Sequence, residues 1–131
     1  MILVDGITSY ETKLRHKAWS HMVSTVGPDE LHAIAARIGL KRSWFQVGAS
    51  FEHYDVTPTK RVLAIKLGAL EVDARILLFA NYDYAIKRPG ERVPERWAAE
   101  IAALHSERVL RGDLGTPNAT EYRREDPKEI D

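Results

Sequence analysis

The chain has 131 residues, 44% of them hydrophobic, which is enough for one domain with a modest core. Lysine plus arginine and aspartate plus glutamate each number 19, so no global field draws the chain onto nucleic acid or an acidic membrane surface. Cysteine is absent, which excludes a disulfide framework, a thiolate metal site and a cysteine nucleophile, and leaves any metal to His, Asp, Glu and water.

The first segment, Ile2-Leu3-Val4, reads as a short buried strand that delivers Asp5 and Gly6 to a turn. The opening Met1-Ile2-Leu3-Val4-Asp5 is too short and too soon charged for a signal peptide, and no apolar run approaches a bilayer span, so a cytoplasmic protein without membrane partners is expected. Residues 8–17 are polar and basic, with Lys13, Arg15, His16 and Lys17, and read as a loop leading into a strand over residues 19–23. Leu31, Ile34, Ala35 and Ile38 share one face of a helix over residues 28–38, Gly39 supplies a left-handed stop, and a strand is expected at residues 43–47.

Thr57 as N-cap and Pro58 at the first helical position start a second helix over residues 58–67, expected to bury Val62, Leu63 and Ile65 or Leu67. It ends at Gly68 and leads to a strand at residues 69–72. Residues 73–85 contain the continuous apolar block Ile76-Leu77-Leu78-Phe79, which periodicity does not resolve; helix is preferred over strand. Residues 87–92 then form a linker, and residues 94–111 an amphipathic helix with Trp97, Ile101 and Leu104 on one face beside the stem of Arg108. After Gly112 the apolar content collapses and a disordered tail is expected.

The fold class is therefore α/β, a small mixed or parallel sheet with flanking helices. The expected organisation is a compact domain at 1–88, a linker and helix at 89–111 and a tail at 112–131. The apolar stripe on the last helix must be covered by its own core, a second copy or a partner, and a homodimer is the preferred outcome.

The chemistry gathers at His53-Tyr54-Asp55-Val56-Thr57-Pro58-Thr59-Lys60-Arg61, where a histidine and a carboxylate precede a helix start carrying two cations. In an extended segment His53 and Asp55 point to the same side, so Asp55 can orient or charge-stabilise the imidazole. His53 is the preferred proton carrier and His21 the second candidate, while His32 fits a core-edge imidazole and His16 and His105 fit solvated positions. Thr57, Lys60 and Arg61 offer N–H groups and charge to a phosphate, with Trp44 and Tyr54 as stacking surfaces for a base or sugar. Asp5, His21, His53 and Asp55 also form a coherent divalent-metal set suited to zinc, manganese or iron, although no local ligand spacing marks it.

Several segments together resemble domain-of-unknown-function family 4031: the Val-Asp pair at 4–5, Trp19-Ser20-His21-Met22, Glu30-Leu31-His32, Ala36-Arg37-Ile38-Gly39-Leu40, Ser43-Trp44-Phe45-Gln46, and His53-Tyr54-Asp55-Val56-Thr57 with Lys60-Arg61. The resemblance covers about residues 2–72 and implies a compact domain of actinobacterial or phage origin, with no activity attached. Many members open with two consecutive Asp residues, whereas Gly6 follows Asp5 here.

No Gly-rich phosphate loop, dinucleotide fingerprint, nucleophile elbow or metalloprotease helix occurs. The leading expectation is recognition of a phosphorylated small molecule or nucleotide at this corner, with phosphoester hydrolysis as its chemistry. The alternatives are a non-catalytic interaction protein using the last helix, and a weak nucleic-acid binder using a basic edge from Lys13, Arg15, His16, Lys17, Lys41 and Arg42.

Overall fold

The computed structural model describes residues 1–9, 18–47, 51–91 and 93–110, with side chains as far as Leu104. The expected basic loop residues Lys13, Arg15, His16 and Lys17, the side chains of His105 and Arg108, and the tail lie outside the described residues.

The sheet is organised around β3 (Ala18–Ser24), which is long enough to pair on both sides. Strand β1 (Ile2–Val4) and the two-residue β2 (Thr8–Ser9) lie antiparallel along one side of β3, and β4 (Tyr54–Val56) lies antiparallel along the other. Beyond β1 runs β5 (Leu70–Glu71), parallel to it, so the sheet is mixed. All three residues of β1 are apolar and buried because both faces of this central strand are covered.

Alternation of side chains assigns the two faces. Ile2, Val4, Met22, Tyr54 and Val56 pack with Leu31, Ile34, Ala35 and Ile38 of the first helix region and Ala64 of the second. Leu3 and Val23 pack on the opposite side with Ile76, Leu77, Ala80, Ile101 and Leu104.

Helix α1 (Pro28–Arg37) begins with proline at its first position, and the Ser24 hydroxyl accepts the N–H groups of Val26 and Gly27 just before it. At its end the Leu40 N–H donates to the Ala35 carbonyl and that of Gly39 to Ala36, with Gly39 at φ 83°. This is a Schellman stop. Helix α2 (Pro58–Lys66) ends the same way, Ala69 donating to Ala64 and Gly68 to Ile65, with Gly68 at φ 108°.

The strand expected at residues 43–47 is instead a 3-10 turn over Arg42–Trp44 followed by a single bridge between Gln46 and His53. The Trp44 and Phe45 N–H groups donate to the carbonyls of Lys41 and Arg42, which closes the turn before the chain can extend alongside β4. The face of α2 also differs from expectation. Val62, Leu63 and Leu67 are exposed, whereas Ala64 is buried and Ile65 partly so. Arg61 turns its guanidinium inward to the Asp5 carbonyl and Glu71, and that attachment sets the rotation of the helix.

Residues 73–85 form two helices, α3 (Ala74–Ala80) and α4 (Tyr82–Lys87). The break lies at buried Asn81, whose side chain accepts from the Tyr84 N–H and donates to the Ser24 carbonyl. The last helix, α5 (Glu95–Leu110), places Ile101 and Leu104 in the core beside α3, with Trp97 at the border. No helix among the described residues is long and apolar enough to cross a membrane.

Candidate metal centre

The end of β1, the middle of β3 and the start of β4 meet on one face of the sheet, and they bring Asp5, His21, His53 and Asp55 together. Register is the cause: His21 stands directly opposite Asp55 across the β3–β4 ladder.

Asp5 is 3% exposed, and its carboxylate accepts two hydrogen bonds from the same residue. The His21 backbone N–H reaches Oδ1 at 2.7 Å, and His21 Nδ1 lies 2.7 Å from Oδ2. Arg61 Nε donates to the Asp5 carbonyl at 2.8 Å and its guanidinium pairs with Glu71 at 2.9 Å, so Arg61 fixes the strand end from below. The hydrogen bond to Asp5 raises the pKa of His21 above its ordinary value against the opposing effect of burial, and the negative charges of Asp5 and Asp55 reinforce the rise.

His53 is buried, and its Nδ1 lies 3.0 Å from the Phe51 carbonyl oxygen. A carbonyl only accepts, so Nδ1 carries the hydrogen. Nε2 then faces Asp55 Oδ1 at 3.4 Å. The hydrogen bond from His53 lowers the Asp55 pKa despite burial, and the charges of both histidines act in the same direction.

The His21 and His53 rings meet edge to face with centroids 5.1 Å apart, while Phe51 stacks on His53 at 4.5 Å. One donor atom each from His21, His53 and Asp55 lies within 4.8 Å of the others. Ligand bonds of about 2.0–2.2 Å place donors roughly 3–3.5 Å apart, so the cluster needs only a side-chain adjustment of about 1 Å to enclose an ion. Two imidazoles and one carboxylate suit zinc, iron or manganese. The surroundings fit as well, because each imidazole has its Nδ1 engaged by an oxygen, Asp5 for His21 and the Phe51 carbonyl for His53, so coordination would fall to the Nε2 atoms, with an ion replacing the direct contact between His53 Nε2 and Asp55.

Three of the four metal residues expected from sequence thus converge, and Asp5 stands behind His21 as its orienting partner. Beside Asp55 opens a cavity of about 640 Å³ whose wall includes Thr57, Lys60 and Trp44. Thr57 caps α2 by accepting the Lys60 N–H at 3.4 Å. Tyr54 is 1% exposed, with its hydroxyl 2.8 Å from His32 Nδ1 and its ring tilted against Phe45, so it belongs to the core. Burial, aided by the charge of Arg42, pushes the pKa of His32 down to about 4.

Sequence reasoning passed over Phe51, and Trp19 and Gln46 as cavity walls. The available signals were the two-residue spacing of Phe51 from His53 and the position of Trp19 beside His21.

Searches for similar curated proteins and for similar solved structures each return no match. A family model described as protein of unknown function (DUF4031) matches residues 2–82, well over half of the chain and a span that holds the whole sheet and every member of the histidine–carboxylate cluster, so the chain belongs to that family.

Proposed function

We propose that the chain binds a divalent cation through His21, His53 and Asp55 and uses that centre to hydrolyse a phosphoester of a small molecule or nucleotide. The observation that carries this reading is the engagement of both Nδ1 atoms by oxygen acceptors, with the Asp55 carboxylate beside His53 Nε2. A bound cation would supply Lewis acidity and a water of lowered pKa. Asp5 holds His21 in one orientation, and the Phe51 carbonyl does the same for His53. Asp55 belongs to both the cluster and the cavity wall, so a ligand in the cavity would lie against one of the three proposed metal ligands. In the reaction the oxygen of water bonds to phosphorus, the ester P–O bond breaks, and the water proton ends on the departing alcohol oxygen.

Calorimetric titration of metal-free protein with zinc and manganese tests the centre. One cation per chain is expected, with binding lost in His21→Ala and Asp55→Ala. Absence of binding in the wild type would remove the centre. Release of phosphate from a generic aryl phosphate, dependent on the cation and on Asp55, tests the reaction separately.

A further inference from the structure

Resting on the reading of the centre above, we infer that the adjoining cavity is the seat of a nucleoside monophosphate. Its size is the first argument. About 640 Å³ falls within the range of small-molecule sites and exceeds what a bare phosphate or a sugar phosphate would fill, so the occupant carries a sizeable body.

The walls describe that body. Trp19, Trp44 and Leu40 make one part of the cavity apolar and aromatic, and Trp44 is 47% exposed, so its ring surface is accessible. A nucleobase is flat, polarisable and edged with donors and acceptors, and stacking on an indole tolerates any base. Lys41 Nζ, 5.8 Å from the Trp44 ring centroid, adds positive charge near that ring. Gln46, held by its backbone bridge to His53, lines the same wall, and its amide can both donate to and accept from a base edge.

The anionic end is set by Lys60. Arg61 is committed to the Asp5 carbonyl and Glu71, whereas Lys60 has no ion-pair partner among the described residues and lines the cavity together with Asp55. Its ammonium lies close to Gly39, where an added Cβ would stand 2.9 Å from Nζ. The phosphate therefore lies between Lys60 and the Asp55 end, next to the cation centre, and the base lies toward Trp44.

Calorimetry on the full chain, with and without zinc, using AMP, UMP, adenosine, ribose 5-phosphate and inorganic phosphate tests this. Both nucleotides are expected to bind at least tenfold more tightly than adenosine or ribose 5-phosphate. Trp44→Ala should weaken AMP about tenfold, the low end of stacking free energies, and leave ribose 5-phosphate unchanged. Lys60→Ala should abolish the preference for AMP over adenosine, and thermal melts of both variants should match wild type. Equal affinity for AMP and ribose 5-phosphate, insensitivity to Trp44→Ala, or no nucleotide binding would each overturn the inference. If zinc binds and AMP does not, the nucleotide seat falls while the centre stands. If AMP binds and no cation does, the centre falls while the seat stands.

Discussion

His32 should make the stability of this protein fall between pH 7 and pH 5 by an amount that can be worked from its surroundings. The imidazole is 7% exposed, lies 2.8 Å from the Tyr54 hydroxyl and packs edge-on against Phe45 with centroids 4.5 Å apart. Burial, with the Arg42 charge, lowers its pKa from 6.5 to about 4. A depressed pKa means that the folded state holds the neutral ring while the unfolded chain takes up a proton. The contribution is therefore fully present above pH 6.5 and is lost as pH falls toward 4. At pH 5 the unfolded histidine is almost wholly protonated and the folded one mostly neutral, which corresponds to a loss of about 2 kcal/mol relative to pH 7.

His21 acts with the opposite sign. Its raised pKa gives stability that is present below pH 6.5 and is lost as pH rises through the folded value. A raw pH profile mixes the two, so the assay compares urea unfolding of wild type and His32→Asn at pH 7 and pH 5; asparagine keeps a polar atom near the position of Nδ1. The stability difference between the two proteins should shrink by about 2 kcal/mol at the lower pH. An unchanged difference would mean that the ring is not held neutral by its burial, and would refute the reasoning.

Asp5→Asn should lower zinc affinity about 10- to 100-fold in calorimetry by weakening the orientation of His21, with circular dichroism unaltered; equal affinity would deny Asp5 that role. Leu104→Ala should cost about 2–5 kcal/mol in urea unfolding because the side chain is buried beside α3, and a negligible cost would mean that α5 does not dock there. Gly39→Ala and Gly68→Ala should each destabilise by about 1–2 kcal/mol through their positive φ. The added Cβ meets only the mobile end of Lys60 at Gly39 and nothing within 4 Å at Gly68, so the two losses should be similar; a clear difference between them would mean that the contact at Lys60 Nζ, and not the backbone, sets the cost.

Where local chemistry decides an element, the sequence announced it. Proline at the start and glycine after the end bounded α1 and α2, and the two-residue spacing of His53 and Asp55 put both on one side of an extended segment. Tertiary attachment was not legible. The rotation of α2 depends on an Arg61 bond to a carbonyl 56 residues away, which no apolar pattern encodes, so Val62 and Leu63 were expected inside. The division of the 73–85 segment follows from the Asn81 bond to Ser24, also distant in sequence. At the cluster the residue types were readable, but the placing of Asp5 behind His21 instead of among the converging donor atoms of His21, His53 and Asp55 needed the meeting of β1 with β3.

The pairing of His21 with Asp55 across the β3–β4 ladder would make a cation held there a checkpoint on the sheet itself. Slipping β4 by one residue would send Asp55 and His53 to the other face and leave His21 alone, so a misregistered chain has no complete ligand set. A cation would then favour the correctly registered fold over both the unfolded chain and its slipped competitors. At a hundredfold excess over its dissociation constant the gain over the unfolded chain is about 2.7 kcal/mol. An ion bound there would in that way also proofread the folding of a small domain whose strands are only two to seven residues long.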